Sequence, residues 1–155
     1  MIRGLYKTDV VTITPEQNLK QAAELMRDRG VGDVVVVSKD DTGLTPVGVV
    51  TDRDIVVKCL ATEAGLEDTT VASIMSSNPT SVKESAGLFD TIRKMREAGV
   101  ARILVVDDNK MLLGILTSQT IFDLLNEELH ELGMIARSRR SLRQPATAPT
   151  KEVQH

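Results

Sequence analysis

Two segments of this sequence place polar side chains where an apolar strand gives way to a helix. In the first, Gly48–Ile55, a valine pair precedes Thr51-x-x-Asp54, and apolar residues follow. A hydroxyl and a carboxylate at such a junction suit a ligand site, because the first backbone N–H groups of a helix are free to bind polar groups. The second segment, Gly114–Ile121, keeps the glycine, the threonine and the isoleucine but has Thr120 in place of the carboxylate. The two copies therefore differ at the residue most able to carry chemistry.

The same two residues also match a structural motif. Thr51 and Asp54 have the spacing of a capping box, in which the threonine closes the helix start and the acid favours the helix dipole. Both roles fit one sequence, because a single helix start can be capped and can also bind a ligand.

The elements around these segments occur twice in one order: strand, helix, strand, strand, helix. In the first copy a strand at 10–13 precedes a helix that we predict to start with Thr14 as its N-cap. Its apolar residues recur at i, i+3, i+4 and i+7 from Leu19. The run Val34–Val37 suits a strand covered on both faces, and it returns as Ile103–Val106. The turn that follows is shorter in the second copy while the elements keep their register, as duplication of one unit predicts.

This repetition sets the predicted boundaries. We assign 8–61 to the first repeat, 62–73 to a linker with or without a short helix, and 74–135 to the second repeat with an extended last helix. The remaining residues, 136–155, are basic, contain two prolines and have low hydrophobicity, which predicts a disordered tail.

Composition limits the function classes. The 155 residues include two Phe, one Tyr and no Trp, so the stacking platforms of single-stranded nucleic-acid binders are missing. The net charge of −3 argues against a chain-wide nucleic-acid surface. The single cysteine, Cys59, is expected to be a small core residue. No apolar run is long enough for a membrane span and no signal segment follows Met1, so we expect a cytoplasmic protein without membrane contact.

No catalytic or metal-binding set is visible in the sequence. The two histidines, His130 and His155, have no partner at ligand spacing. The acidic pairs Asp40-Asp41 and Asp107-Asp108 fit turns. We therefore expect no enzyme activity, no metal and no cofactor.

The duplicated unit with Gly-x-x-Thr-x-x-Asp at the head of a helix, together with the lead-in Ile74–Pro79, resembles the cystathionine β-synthase (CBS) domain family over about residues 8–126. The resemblance implies an α/β (α+β) fold of two tandem β-α-β-β-α repeats packed with pseudo-two-fold symmetry, called a Bateman module. It also implies that modules pair again, here as a homodimer. Clefts between such repeats bind adenosine-containing ligands such as AMP, ADP, ATP or S-adenosylmethionine.

By the family's pattern, Asp54 would accept both ribose hydroxyls, and Thr51 would meet a phosphate or the sugar. Charge-assisted hydrogen bonds of this kind are worth roughly 1.5–3 kcal/mol each where water is excluded. Asp33 is unusual at its position and would repel phosphate if it faced the cleft. The predicted ligand-binding residues of the first cleft are Val11, Thr12, Ile13, Gly32, Asp33, Val34, Thr51, Asp52 and Asp54.

The second cleft is expected to be empty, to bind more weakly or to take another ligand, because Thr120 cannot clamp a diol. Arg102 would point at a phosphate by the family's pattern, and a solvated surface arginine is the alternative. The predicted residues of this cleft are Thr80, Ser81, Val82, Ala101, Arg102, Ile103, Thr117 and Thr120.

The leading hypothesis is a stand-alone regulatory module that binds an adenine nucleotide or S-adenosylmethionine and passes its occupancy to an unknown partner protein. The alternative is a dimerising scaffold whose basic tail contacts an acidic partner or nucleic acid, although short basic tails are usually solvated. An enzyme is the least supported class.

Overall fold

The computed structural model describes residues 1–62 and 64–141. Residues Met1–Thr120 form one compact unit, which contains both sheets, and a second unit begins at Ile121. In chain order the elements are β1 Thr12–Ile13, α1 Leu19–Arg29, β2 Asp33–Asp40, β3 Gly43–Thr51, α2 Asp52–Lys58, a 3-10 turn Leu60–Thr62, α3 Val71–Ile74, β4 Ser76–Ser77, β5 Ser81–Lys83, α4 Leu88–Ala98, β6 Arg102–Val106, β7 Leu112–Thr117 and α5 Ser118–Ser141. The order β-α-β-β-α occurs twice, which confirms the predicted fold class.

The two sheets have equivalent pairings. The first runs β1-β2-β3-β4 and the second β5-β6-β7, and in each the first strand is parallel to the second while the second and third are antiparallel. The cross-strand pair Val35 and Val49 in the first sheet corresponds to Leu104 and Ile115 in the second. These are the positions that the sequence repeat aligns, so the predicted duplicated register is present in the strands.

Strand β2 is buried on both faces at Val34–Val37, as the valine run predicts, and exposed from Ser38 to Asp40. Val34 and Val36 face a core shared with α1, which contributes Leu19. Val35 and Val37 belong to a separate cluster with Leu104 from the other repeat. The alternating side chains of one strand thus build the interior of the first repeat and its contact with the second.

The segment before each repeat extends the sheet of the other repeat. Strand β4 pairs with Gly48 and Val49 of β3. At the equivalent position before the first repeat, Lys7 forms an antiparallel bridge to Ile115, with N···O distances of 3.0 and 2.9 Å in the two directions. This exchange links the repeats through backbone hydrogen bonds at two places.

The N-terminal residues are held by a polar cluster that the sequence did not predict. Arg3 donates two hydrogen bonds to the Glu84 carboxylate, at 2.7 and 3.2 Å, and the Tyr6 hydroxyl lies 3.3 Å from it. Ile2 is fully buried. Residues 1–7 are therefore ordered against the second repeat.

The predicted start of α1 is wrong. The helix begins at Leu19, where Asn18 is the N-cap and Gln21 completes the capping box. The N–H groups of Leu19 and Lys20 donate to carbonyls of the linker, at Thr69 and Leu66. These tertiary partners satisfy the free donors of the first turn, so the helix starts after Pro15 and not at it.

The segment between the repeats packs on the first repeat. Val71 and Ile74 of α3 are buried in the same core as Leu19. Burial of these apolar side chains explains why the segment packs against the first repeat. The short helix that the sequence left open is thus present.

The last helix is longer than predicted. Helix α5 ends at Ser141, beyond the expected end at Ile135. No proline occurs between Ser118 and Pro145, and arginine and alanine are good helix formers, so residues 136–141 continue the helix. The remainder of the predicted tail lies outside the described residues.

Candidate ligand-binding cleft

Both repeats line one open cavity of about 720 Å³, called here the central cleft. Its floor is apolar and consists of the two equivalent cross-strand pairs, Val35 with Val49 and Leu104 with Ile115. Its volume falls within the roughly 300–1,000 Å³ typical of small-molecule sites. A flat aromatic group would find apolar contact here with both repeats.

The rim of the central cleft is polar. It is formed by Gly32 and Asp33 at the start of β2, by Thr51–Arg53 at the junction of β3 and α2, and by the crossing segment Ser76–Thr80. Val100–Arg102 closes the rim from the second repeat. The strand-to-helix junction singled out in the sequence therefore opens into a cavity.

Gly32 and Asp52 fit closely together on this rim. The Asp52 amide donates to the Gly32 carbonyl at 2.9 Å. A Cβ at position 32 would lie 3.2 Å from the Asp52 carboxylate. The missing side chain at Gly32 thus leaves room for the acid at the mouth of the cleft.

Asp54 is held by a capping box. Its Oδ2 accepts hydrogen bonds from the amide and hydroxyl of Thr51, at 3.0 and 2.9 Å, and its Oδ1 lies 2.7 Å from Nζ of Lys58. The Asp54 side chain is 16% exposed and is not among the residues that line the central cleft. A carboxylate has about four acceptor positions. Thr51 fills both positions on Oδ2 and Lys58 fills one on Oδ1, so a ribose diol could bind both oxygens only if Thr51 released Oδ2.

The same contacts shift the titration of Asp54. Burial acts to raise the pKa of this carboxyl, but the hydrogen bonds from Lys58 and from the Thr51 amide and hydroxyl outweigh it, and the pKa lies below its ordinary value. A carboxyl whose pKa is lower in the folded state stabilises the fold fully above its unfolded pKa. It loses that contribution as pH falls through the folded value.

We therefore expect Asp54→Asn to lower the free energy of unfolding at neutral pH, with a gap to the wild type that narrows as pH falls below the ordinary value of 3.8. Urea unfolding across this range measures the gap. The matched control is Asp41→Asn, which changes an exposed turn residue. A gap that stayed constant with pH would contradict the role of the ionised carboxylate.

Asp33 and Arg102 form an ion pair in the central cleft. The Asp33 side chain is 14% exposed and the Arg102 side chain 54%. Neither expectation for Arg102, a free phosphate ligand or a solvated surface residue, included this partner.

The structure brings together residues predicted for two different clefts. Those that line the central cleft are Gly32, Asp33, Thr51, Asp52, Thr80, Ala101 and Arg102. The other predicted residues do not line it: Val11, Thr12, Ile13, Val34, Asp54, Ser81, Val82, Ile103, Thr117 and Thr120. Among these, Ile13, Val34 and Ile103 are core residues. Ser81 and Val82 line a separate cavity, and Thr120 donates its amide to the Thr117 hydroxyl at the start of α5.

Sequence reasoning missed the apolar floor of the cleft, formed by Val35, Val49, Leu104 and Ile115, and three parts of its rim, Arg53, Ser76–Pro79 and Val100. Arg53 lies on the rim, and Ser76–Pro79 crosses it. For Ser76–Pro79, the signal available in the sequence was the lead-in Ile74–Pro79. This segment and the chain around Lys7 each precede a repeat and pair with the sheet of the other repeat.

Two tandem β-α-β-β-α repeats that enclose one cleft define a repeat-pair module. The profile of the CBS domain matches residues 2–60 and 71–127, and the chain belongs to this family. The two matches confirm the resemblance inferred from the repeated motif.

Several proteins are similar to this chain along most of its length. "Uncharacterized protein MK0525" of Methanopyrus kandleri is 33% identical over 115 residues, which are 74% of this chain and 57% of that protein. The chain thus spans little more than half of this relative. The CBS domain protein PAE2072 from Pyrobaculum aerophilum, solved in complex with AMP, is 26% identical, with a TM-score of 0.65 over 75% of this chain and 86% of that one. The CBS domain pair of protein MJ0100, solved with 5′-methylthioadenosine and S-adenosyl-L-methionine, is 25% identical, with a TM-score of 0.66 over 81% and 98%.

Two features are absent from residues 1–62 and 64–141. No helix in these ranges has the length and apolar character needed to cross a membrane. The same ranges contain no group of three or more His, Cys, Asp or Glu side chains placed to bind a metal ion.

Proposed function

We propose that this chain is a regulatory module that binds an adenosine-containing ligand in its central cleft and signals occupancy to a partner protein. The observation that carries the proposal is the cavity of about 720 Å³, with an apolar floor from both repeats and a polar rim at a helix start. The floor suits a purine and the rim suits a ribose and its substituent. The AMP complex of PAE2072 and the complex of MJ0100 with two adenosine compounds support this ligand class.

Signalling would follow from the position of the cleft. A ligand in it touches both repeats at once, and the ion pair of Asp33 and Arg102 also joins them. If the ligand favours one arrangement of the repeats, binding shifts that equilibrium, and a partner that prefers the same arrangement is coupled to it. No bond in the ligand needs to be broken, so the proposal assigns no catalytic step, cofactor or metal to this chain.

The proposal includes a homodimer, in a cytoplasmic setting. Helix α5 exposes Phe122, Leu129 and Leu132, whose spacing is that of the apolar stripe of a helix that packs on another helix. The same stripe favours the second candidate function, a dimerising scaffold without a ligand. Light scattering on the purified chain reports the dimer.

The ligand is tested by thermal shift and calorimetric titration with AMP, ATP and S-adenosylmethionine. A ligand that binds only the folded state adds about 2.7 kcal/mol of stability at a hundredfold excess over its dissociation constant. We propose that one ribose hydroxyl donates to the acceptor position that remains on Oδ1 of Asp54, next to Thr51 on the rim. We expect Asp54→Asn to weaken binding by about tenfold, because this contact loses charge assistance.

Thr120→Ala is the matched control, because it changes the equivalent position in the second repeat. It should leave binding in the central cleft unchanged. If none of these compounds bound or raised the melting temperature, the regulatory module would be wrong and the scaffold would remain.

A further inference from the structure

The ion pair in the central cleft joins two equivalent positions of the duplicated unit. Asp33 is the first residue of β2, and Arg102 is the first residue of β6, the matching strand of the second repeat. Identical residues at these two positions would bring like charges together, which is unfavourable. The two copies instead carry opposite charges that form an ion pair.

This pair sets the charge of the cleft. The charged side chains that line it are Asp33, Asp52, Arg53 and Arg102, two acids and two bases, so their formal charges cancel. Arg53 directly follows an acid, and the Asp52 carboxylate accepts a hydrogen bond from the Arg53 amide at 2.7 Å. The cleft therefore has no excess of positive charge for a phosphate.

A phosphate that bound Arg102 would also disturb Asp33. The Asp33 side chain is only 14% exposed, so the loss of its partner would leave a mostly buried carboxylate unpaired. The phosphate would add negative charge beside it, which costs further free energy. Both effects disfavour the binding of nucleotides.

A zwitterionic group avoids both costs. An ammonium beside Asp33 and a carboxylate beside Arg102 would give each residue an opposite charge while the sum stays zero. We propose that Asp33 and Arg102 select adenosine ligands with an amino-acid tail over adenosine phosphates. The inference rests on the proposed function and specifies its ligand class.

Calorimetry with four compounds tests the inference: S-adenosylmethionine, S-adenosylhomocysteine, AMP and ATP. S-adenosylhomocysteine has the same zwitterionic tail without the sulfonium charge, so it isolates the contribution of the tail. We expect the wild type to bind both amino-acid compounds at least about tenfold more tightly than AMP.

Two variants separate selection by charge from a structural role. Asp33→Asn should weaken the binding of S-adenosylhomocysteine and strengthen the binding of AMP, because Arg102 becomes free for a phosphate. Arg102→Gln should weaken the binding of S-adenosylhomocysteine without strengthening the binding of AMP, because it removes the cation. Asp41→Asn, an exposed acid outside the cleft, should leave the order of affinities unchanged.

The outcomes distinguish the two proposals. If no adenosine compound binds to the wild type or either variant, the proposed function itself is wrong. If adenosine compounds bind but AMP or ATP binds the wild type as tightly as S-adenosylhomocysteine, the selection by Asp33 and Arg102 is wrong and the proposed function stands. The selection is also wrong if both variants change all affinities in parallel.

Discussion

Gly114→Ala is expected to lower the free energy of unfolding by about 2 kcal/mol or more, because the added methyl group has no room. A Cβ at this position would lie 2.3 Å from Cδ2 of Tyr6 and 2.5 Å from the backbone oxygen of Lys7. The Tyr6 ring can rotate away, but the Lys7 oxygen is fixed by its hydrogen bond from the Ile115 amide at 2.9 Å. The substitution must therefore open the bridge that ties the N-terminal segment to the second repeat.

Urea unfolding of three alanine variants provides the measurement. At the equivalent Gly48, the nearest atom to an added Cβ is the Sδ of Met75, at 2.6 Å, and the nearest backbone atom is 3.1 Å away. Because the end of a methionine side chain can move, Gly48→Ala should cost less than Gly114→Ala. Gly133 lies in helix α5 with nothing within 4 Å of an added Cβ, so Gly133→Ala should be neutral or slightly stabilising. A loss at Gly114 no larger than the change at Gly133 would contradict the packing argument.

These glycines show where motif reading and physical cause differ. In the sequence, Gly48 and Gly114 are repeated positions of the segments that contain Thr51 and Thr117, and the motif alone assigns them no role. The structure gives them a packing role, since the lead-in of the opposite repeat crosses directly over each one. The repeated glycine thus allows close backbone approach, and the approaching segment comes from the other repeat, which the local sequence does not specify.

The elements of the fold could be predicted because their signals are local. The valine run Val34–Val37 is apolar at every position, and a strand buried on both faces requires this. The helical period from Leu19 and the duplication determined the order of the elements. Local signals failed at the start of α1, where Asn18 competed with Thr14 as the cap and linker carbonyls decided the outcome.

The central cleft could be predicted only in part, because its shape depends on how the two repeats meet. Thr51 and Asp52 were found from the strand-to-helix junction, which is local. The ion pair of Asp33 and Arg102 joins residues far apart in the sequence, and nothing in either segment indicates that the two face each other. Such a pair becomes predictable once equivalent positions of the repeats are known to meet.

Leu104→Ala is expected to lower the free energy of unfolding by about 3 kcal/mol, within the range for leucine truncation in a core. Leu104 is 3% exposed and packs in a cluster with Val35 and Val37 of the other repeat. Because the cluster contains residues of both sheets, its loss should destabilise both sheets together. Urea unfolding followed by circular dichroism should therefore show one transition at a lower midpoint.

Two matched variants separate this effect from ordinary core damage. Phe89→Ala removes a larger side chain that is 72% exposed and should change stability by less than about 0.5 kcal/mol. Leu19→Ala leaves a cavity in the core of the first repeat and should lower the free energy of unfolding about as much as Leu104→Ala does. Leu19 does not line the central cleft. Only Leu104→Ala should also weaken the binding of the adenosine ligand, because Leu104 forms part of the cleft floor. Unfolding in two steps, with the first repeat unaffected by Leu104→Ala, would mean that the repeats are uncoupled, and occupancy of the cleft could not then be transmitted from one repeat to the other.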